Sequence, residues 1–164
     1  MMRILLTGAG GFVASYLPDA LRAAIGKDVE LMATSLFASA DSDFGVVYPL
    51  DVTDRDAVRQ IIAGVLPDRI IHLAGIAAPQ ASNSQPDAAW RIHVQGTLAI
   101  ADAVLAEAPN CHLLNVGSGL VYGASALACI PLDENAVLAP IDVYATTKAA
   151  ADLALGAYAW RGLR

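Results

Sequence analysis

The sequence predicts an α/β fold, a doubly wound parallel sheet with helices on both faces. Apolar runs of strand length alternate with longer amphipathic stretches, the pattern of repeated strand–helix–strand units. A glycine-rich bend, Thr7-Gly8-Ala9-Gly10-Gly11, stands directly behind the first apolar run. Size and composition agree: 164 residues, 56% apolar and only 16% charged, make one domain with ample core material and argue against disorder.

Taken in order, residues 3 to 7 form a first strand, and a helix entered through the glycines covers residues 11 to 25. Val29 to Thr34 is a second strand and residues 46 to 50 a short third, ending at Asp51. Thr53 with Asp56 resembles a capping box, with Asp where Glu is usual, and starts a helix that runs to about Val65. Pro67-Asp68 closes that turn, and Arg69 to Leu73 is the fourth strand. Residues 74 to 84 read as a small-residue loop. Pro86 sets the first turn of one long helix to about Ala108, stopped by Pro109-Asn110. His112 to Val116 is the fifth strand and residues 117 to 140 are irregular. Asp142 is the expected N-cap of a last helix reaching about Trp160. Right-handed crossovers between such strands give the order 3-2-1-4-5, with a ligand crevice at the carboxyl ends of strands 1 and 4.

A formal charge of −6, with ten basic residues scattered along the chain, excludes a nucleic-acid footprint. Cys111 and Cys129 lack metal-type spacing and read as two incidental thiols of a reducing compartment. The N-terminal apolar run is too short for a signal peptide and no run approaches membrane length, so the expected location is cytoplasmic.

The bend carries chemistry. Glycines at 8 and 11 between a buried strand and a helix let the backbone come close to a pyrophosphate, whose oxygens the helix N-terminus attracts. Ala14 stands at the third position of this spacing, where one methyl still permits close helix–strand packing. Asp51 is placed to accept from an adenine amino group with help from the Val52 amide; starting the next helix is an equal reading of Asp51 or Asp54. The second strand ends in Thr34-Ser35-Leu36, with no carboxylate to grip the ribose diol of NAD and no cation to attract a 2′-phosphate. Asp41 and Asp43 lie farther along the loop. NAD or NADP is expected, with a lean to NADP.

Tyr144 and Lys148 stand four residues apart and therefore share one helix face, which lets the ammonium favour an ionised phenol. Ser118, just past the fifth strand, is placed to hydrogen-bond a reacting oxygen. The set suits proton transfer at a sugar hydroxyl while hydride moves to or from the same carbon.

These residues resemble the extended short-chain dehydrogenase/reductase family of nucleotide-sugar epimerases, dehydratases and reductases. The resemblance runs through Thr7-Gly8-x-x-Gly11-Phe12, Asp51-Val52-x-Asp54, His72-Leu73-Ala74-Gly75, Ser118-x-x-Val121-Tyr122-Gly123, Pro131-x-x-Glu134, Pro140 and Tyr144-x-x-x-Lys148. It implies a Rossmann fold and a catalytic set of Ser118, Tyr144 and Lys148, with Lys148 also on the nicotinamide ribose. Gly8, Gly11 and Phe12 would line the pyrophosphate, Asp51 and Val52 the adenine, and Leu73, Ala74 and Gly75 the middle of the cofactor.

Two departures matter. The family's Asn on the long helix is replaced by His93, for which a packed helix histidine is the preferred reading over a proton relay. The Asp-Glu pair of the sugar 4,6-dehydratases is replaced by Gly119 and Leu120, which transfer no proton, so 4-keto reduction or 4-epimerisation is expected. Residues 1–164 are then the cofactor-binding domain alone, an N-terminal portion lacking the C-terminal strands and the substrate domain. The resemblance also implies a homodimer through residues 87–108 and 143–160. The alternative reading is a dinucleotide-binding module without turnover.

Overall fold

The computed structural model describes residues 1–26, 28–37, 43–128 and 131–164. Asp41 and Cys129 lie outside the described residues. Five strands, β1 (Met2–Thr7), β2 (Val29–Ser35), β3 (Val47–Pro49), β4 (Arg69–His72) and β5 (His112–Asn115), pair in parallel in the order β3-β2-β1-β4-β5. This is the expected topology. Ile4 registers with Leu31 on one side and Arg69 on the other, so β1 is the central strand.

Successive side chains of a strand point to opposite faces, and the doublets of β1 and β4 use this to build two cores. Leu5 and Ile70 enter a core with Val58 and Ile62 of α2 (Arg55–Val65) and Ile100 and Val104 farther along the chain. Leu6 enters a second core with Ala14, Ala33, Phe44 and Val47, against which Ile71 packs. A continuous apolar run is the signature of a strand covered on both faces.

The helices correct the sequence reading in detail. The helix expected from residue 11 begins later: a 3₁₀ turn covers Val13–Tyr16 and α1 spans Leu17–Ile25. Pro18 lies in the first turn of α1 and has no N–H to return to residue 14, whose carbonyl is taken by the Leu17 N–H in the tighter pattern. Asp54, not Thr53, caps α2, accepting from Asp56 N at 3.1 Å and Ala57 N at 3.0 Å. Thr53 instead gives its hydroxyl proton to Asp51.

Within the expected loop 74 to 84, Pro79–Ser84 forms a short helix, α3. Its sequence is poor in helix formers, and its contacts with the last helix hold it; Val143 N–H donates to Asn83 Oδ1 at 3.0 Å. The long helix is not uniform. It runs as α4 (Pro86–Ala89), a π-helical stretch Trp90–Gly96, and α5 (Thr97–Glu107). Residues 119 to 128 make 3₁₀ turns broken at Gly123. The last helix, α6 (Val143–Trp160), is capped by Asp142, whose carboxylate accepts from Ala145 N at 2.7 Å. After α6, Leu163 packs on the first core and the Arg164 carbonyl accepts from Leu113 N on β5. Among the described residues no helix is long and apolar enough to cross a membrane.

Candidate functional site

The two halves of the winding separate between β1 and β4, and there the chain leaves a cleft of about 770 Å³. Gly8, Gly11, Phe12, Asp51, Val52, Leu73, Ala74, Gly75, Tyr144 and Lys148 all line it. They come from four separate stretches, assembled because parallel strands deliver their carboxyl ends to one edge.

Gly8 marks the closest approach. Its φ is +78°, and a Cβ there would stand 2.6 Å from Ala74 N and 2.8 Å from the Leu73 carbonyl carbon. Only glycine lets the end of β1 cross the segment after β4 at this separation. Ala14, at the third position of the spacing, is fully buried and lets the turn pack on β1 and β2. At the cleft rim Phe12 is largely exposed and meets Tyr16 edge-on at 5.2 Å.

Asp51 lines the cleft but spends one oxygen locally: Oδ1 accepts from Thr53 N at 2.9 Å and Thr53 Oγ1 at 2.8 Å. Among the described residues its second oxygen has no hydrogen-bond partner. Val52 sends its side chain into the first core. The start of the next helix belongs to Asp54 alone, which separates the two roles that the sequence left open.

Tyr144 sits in the first turn of α6, 9% exposed, its ring centroid 5.7 Å from that of His93 with the planes at 89°. One turn on, Lys148 Nζ donates to the Val116 carbonyl at 3.1 Å, so one of its three protons is fixed at the end of β5. Burial lowers the Lys148 pKa from its ordinary value. Ser118 is not among the lining residues; it follows Val116 and Gly117, which are. Its Oγ accepts from Leu120 N at 3.2 Å, leaving its own proton to donate.

Two buried histidines stand behind the cleft. His72 contacts Thr7 Oγ1 through Nδ1 at 2.6 Å, and burial first, then the charges of Lys148 and His93, lower its pKa to about 3. His93 is lowered to about 4, by burial and by Lys148, against a smaller opposing backbone hydrogen bond at Ile76. Both are neutral at pH 7.

Ser35 and Leu36, marked in the sequence by the missing charge at the end of the second strand, line the cleft, as do Ile76 and Ile92, which the sequence did not single out. Those two carry no signal, since an apolar residue in a loop or long helix looks like core.

The profile of the NAD dependent epimerase/dehydratase family matches residues 4–162. A GDP-6-deoxy-D-mannose reductase of Pseudomonas aeruginosa is 30% identical over 150 residues, covering 92% of this chain and 45% of the reductase. Among solved structures, a UDP-glucose 4-epimerase from Brucella ovis in complex with NAD superposes with a TM-score of 0.85 at 25% identity, covering 100% of this chain and 50% of the epimerase. RMD from Pseudomonas aeruginosa, complexed with NADPH, gives a TM-score of 0.76 at 28% identity, over 100% and 52% of the two chains. This chain spans about half the length of the curated relatives it matches.

Proposed function

Because this chain belongs to the NAD dependent epimerase/dehydratase family, we propose that its cleft binds NAD or NADP and serves hydride chemistry at C4 of a nucleotide-sugar. The carrying observation is that one cleft collects the bare glycine bend, the ends of β3 and β4, and the Tyr144–Lys148 face of α6. Its volume of about 770 Å³ suits a ligand of dinucleotide size, and the Gly8 crossing keeps the floor free of side chains where a pyrophosphate needs backbone contact. The relatives' bound NAD and NADPH support the same reading.

When bound, the nicotinamide supplies the hydride acceptor or donor. The chain's residues do the rest. Gly8, Gly11 and Phe12 hold the pyrophosphate; Asp51, through its uncommitted oxygen, and Val52 flank the adenine; Leu73, Ala74 and Gly75 line the middle of the dinucleotide. Tyr144 Oη takes the proton of the sugar hydroxyl, or returns one to the carbonyl oxygen. Lys148, fixed by Val116, stabilises the phenolate and holds a ribose hydroxyl with its remaining protons. Ser118 donates to the reacting oxygen. Gly119 and Leu120 carry no titratable group, which favours reduction or epimerisation over dehydration. The substrate's nucleoside diphosphate, whose binding energy orients the reacting carbon, calls for groups beyond those of this cleft. A homodimer through residues 87–108 and 143–160 belongs to the same reading, supported by the exposure of Leu153 and Trp160 on α6.

The test is a titration with NADH and NADPH, read by nucleotide fluorescence and melting temperature, followed by addition of a 4-keto sugar nucleotide while reduced-nicotinamide absorbance is recorded. Binding of neither nucleotide removes the proposal. Binding without turnover leaves a dinucleotide-binding module. Turnover lost in Tyr144→Phe with affinity retained assigns the proton to Tyr144.

A further inference from the structure

The π-helical stretch Trp90–Gly96 carries a buried histidine beside the cleft. His93 is 2% exposed, and every polar atom of its ring is engaged. The Ile76 N–H donates to Nε2 at 3.0 Å, and the Ile76 carbonyl stands 3.2 Å from the same nitrogen. On the other side Nδ1 lies 2.8 Å from Thr147 Oγ1. Thr147, itself fully buried, reaches the carbonyls of Val143 and Tyr144, each at 2.9 Å. An accepting Nε2 puts the ring proton on Nδ1, from where it is donated to Thr147; the Thr147 hydroxyl then passes its own proton to the first turn of α6.

A continuous chain of hydrogen bonds thus joins the cleft floor to the turn that bears Tyr144. The His93 ring also fills the space between them. A Cβ on Gly75 would meet His93 Cδ2 at 3.2 Å, Nε2 at 3.4 Å and Lys148 Nζ at 3.5 Å. The same ring meets Tyr144 edge-on. Gly75, Tyr144 and Lys148 therefore surround one imidazole. The other titratable groups that act on this ring are Lys148 on α6 and, through its charge coupling, His72 on β4. A regular α-helix turn has no extra residue to bring a side chain to this spot, and π-helical steps serve that purpose at functional sites.

We propose that His93 is a positioning residue: accepting from Ile76 and donating to Thr147, it holds the Tyr144 turn at one fixed separation from the dinucleotide-binding floor at Gly75–Ile76. The dinucleotide part of this inference rests on the proposed function; the His93 lock itself does not.

The test uses the chain labelled with ¹⁵N-histidine and ¹³C-tyrosine. The His93 ring shows a proton on Nδ1 and none on Nε2 at neutral pH. Thr147→Val and His93→Leu both displace the Tyr144 ring resonances, assigned with Tyr144→Phe, whereas His93→Gln, whose amide can accept and donate across the same gap, keeps them in place. NADH affinity follows the same order: it falls about tenfold in His93→Leu and stays within about threefold of the parent in His93→Gln, as expected for a lost and a replaced buried hydrogen bond. If His93→Leu fails to fold, Thr147→Val against His93→Gln carries the comparison. A proton on Nε2 at neutral pH, or unmoved Tyr144 resonances in both Thr147→Val and His93→Leu, overturns the proposal. If the labelled chain behaves as expected but binds no NADH, the lock stands and the dinucleotide reading falls.

Discussion

A Cβ on Gly8 would stand 2.6 Å from the amide nitrogen of Ala74, so the segments just past the neighbouring strands β1 and β4 meet backbone to backbone at the floor of the cleft. Nothing in either segment is the far end of a flexible side chain that might swing away. Gly8→Ala is therefore expected to cost 2 kcal/mol or more, a melting temperature lower by about 5 °C, from the left-handed backbone and the collision together. Gly64→Ala is the control. Gly64 lies inside α2 with nothing within 4 Å of its added Cβ, and the change should stabilise by up to about 1 kcal/mol. Equal melting temperatures for the two variants would contradict the close crossing.

Acid should destabilise the fold well above the carboxylate range. His72 and His93 have folded pKa values lowered to about 3 and about 4, against 6.5 for the free side chain. Between those limits the unfolded chain binds protons that the folded chain refuses, so stability is full above pH 6.5 and declines as pH falls below it. Each histidine contributes a slope of up to about 1.4 kcal/mol per pH unit. Melting temperatures recorded from pH 8 to pH 5 should fall, and His72→Gln should flatten the curve. A flat parent curve over that range would show that the two rings are not held neutral.

Asp102 acts in the same direction at lower pH. Partial burial opposes ionisation, but the Tyr158 hydroxyl, then Arg55 and Arg161, outweigh it and lower the Asp102 pKa. Its contribution is present above the ordinary carboxylate pKa and lost as pH falls through the lowered one. Asp102→Asn should be neutral in acid and destabilising at pH 7, and guanidine midpoints at the two pH values provide the measurement.

The first turn of α6 holds both its cap and Tyr144. Asp142→Ala removes the acceptor of the Ala145 N–H, a loss of about 1 kcal/mol. The effect should appear more in turnover than in nucleotide affinity, because the frayed turn carries the phenol while the glycine bend is untouched. A KM change with constant kcat would speak against Tyr144 as the proton carrier.

Ser35 ends β2 and lines the cleft without charge. On the reading that the adenosine end of the cofactor lies there, the parent chain binds NADPH at least as tightly as NADH. Ser35→Asp should grip the ribose diol and repel a 2′-phosphate, shifting the ratio toward NADH by about tenfold or more. Parallel fluorescence titrations measure the ratio, and no shift would move the adenosine end elsewhere.

The sequence alone carries the winding. The Leu5–Leu6 and Ile70–Ile71 doublets are apolar on consecutive positions, which only a strand buried on both faces requires, and their order along the chain leaves one right-handed arrangement. It also carries two local spacings whose residues line the cleft, the Gly8–Gly11 bend and the Tyr144–Lys148 turn. Contacts between segments distant along the chain set the rest. Pro79–Ser84 is helical because α6 receives it. His93 looks in sequence like any histidine on an apolar helix face. Its partners Ile76 and Thr147 lie 17 and 54 residues away, and no periodicity within one element encodes where another element will place its hydrogen-bonding groups.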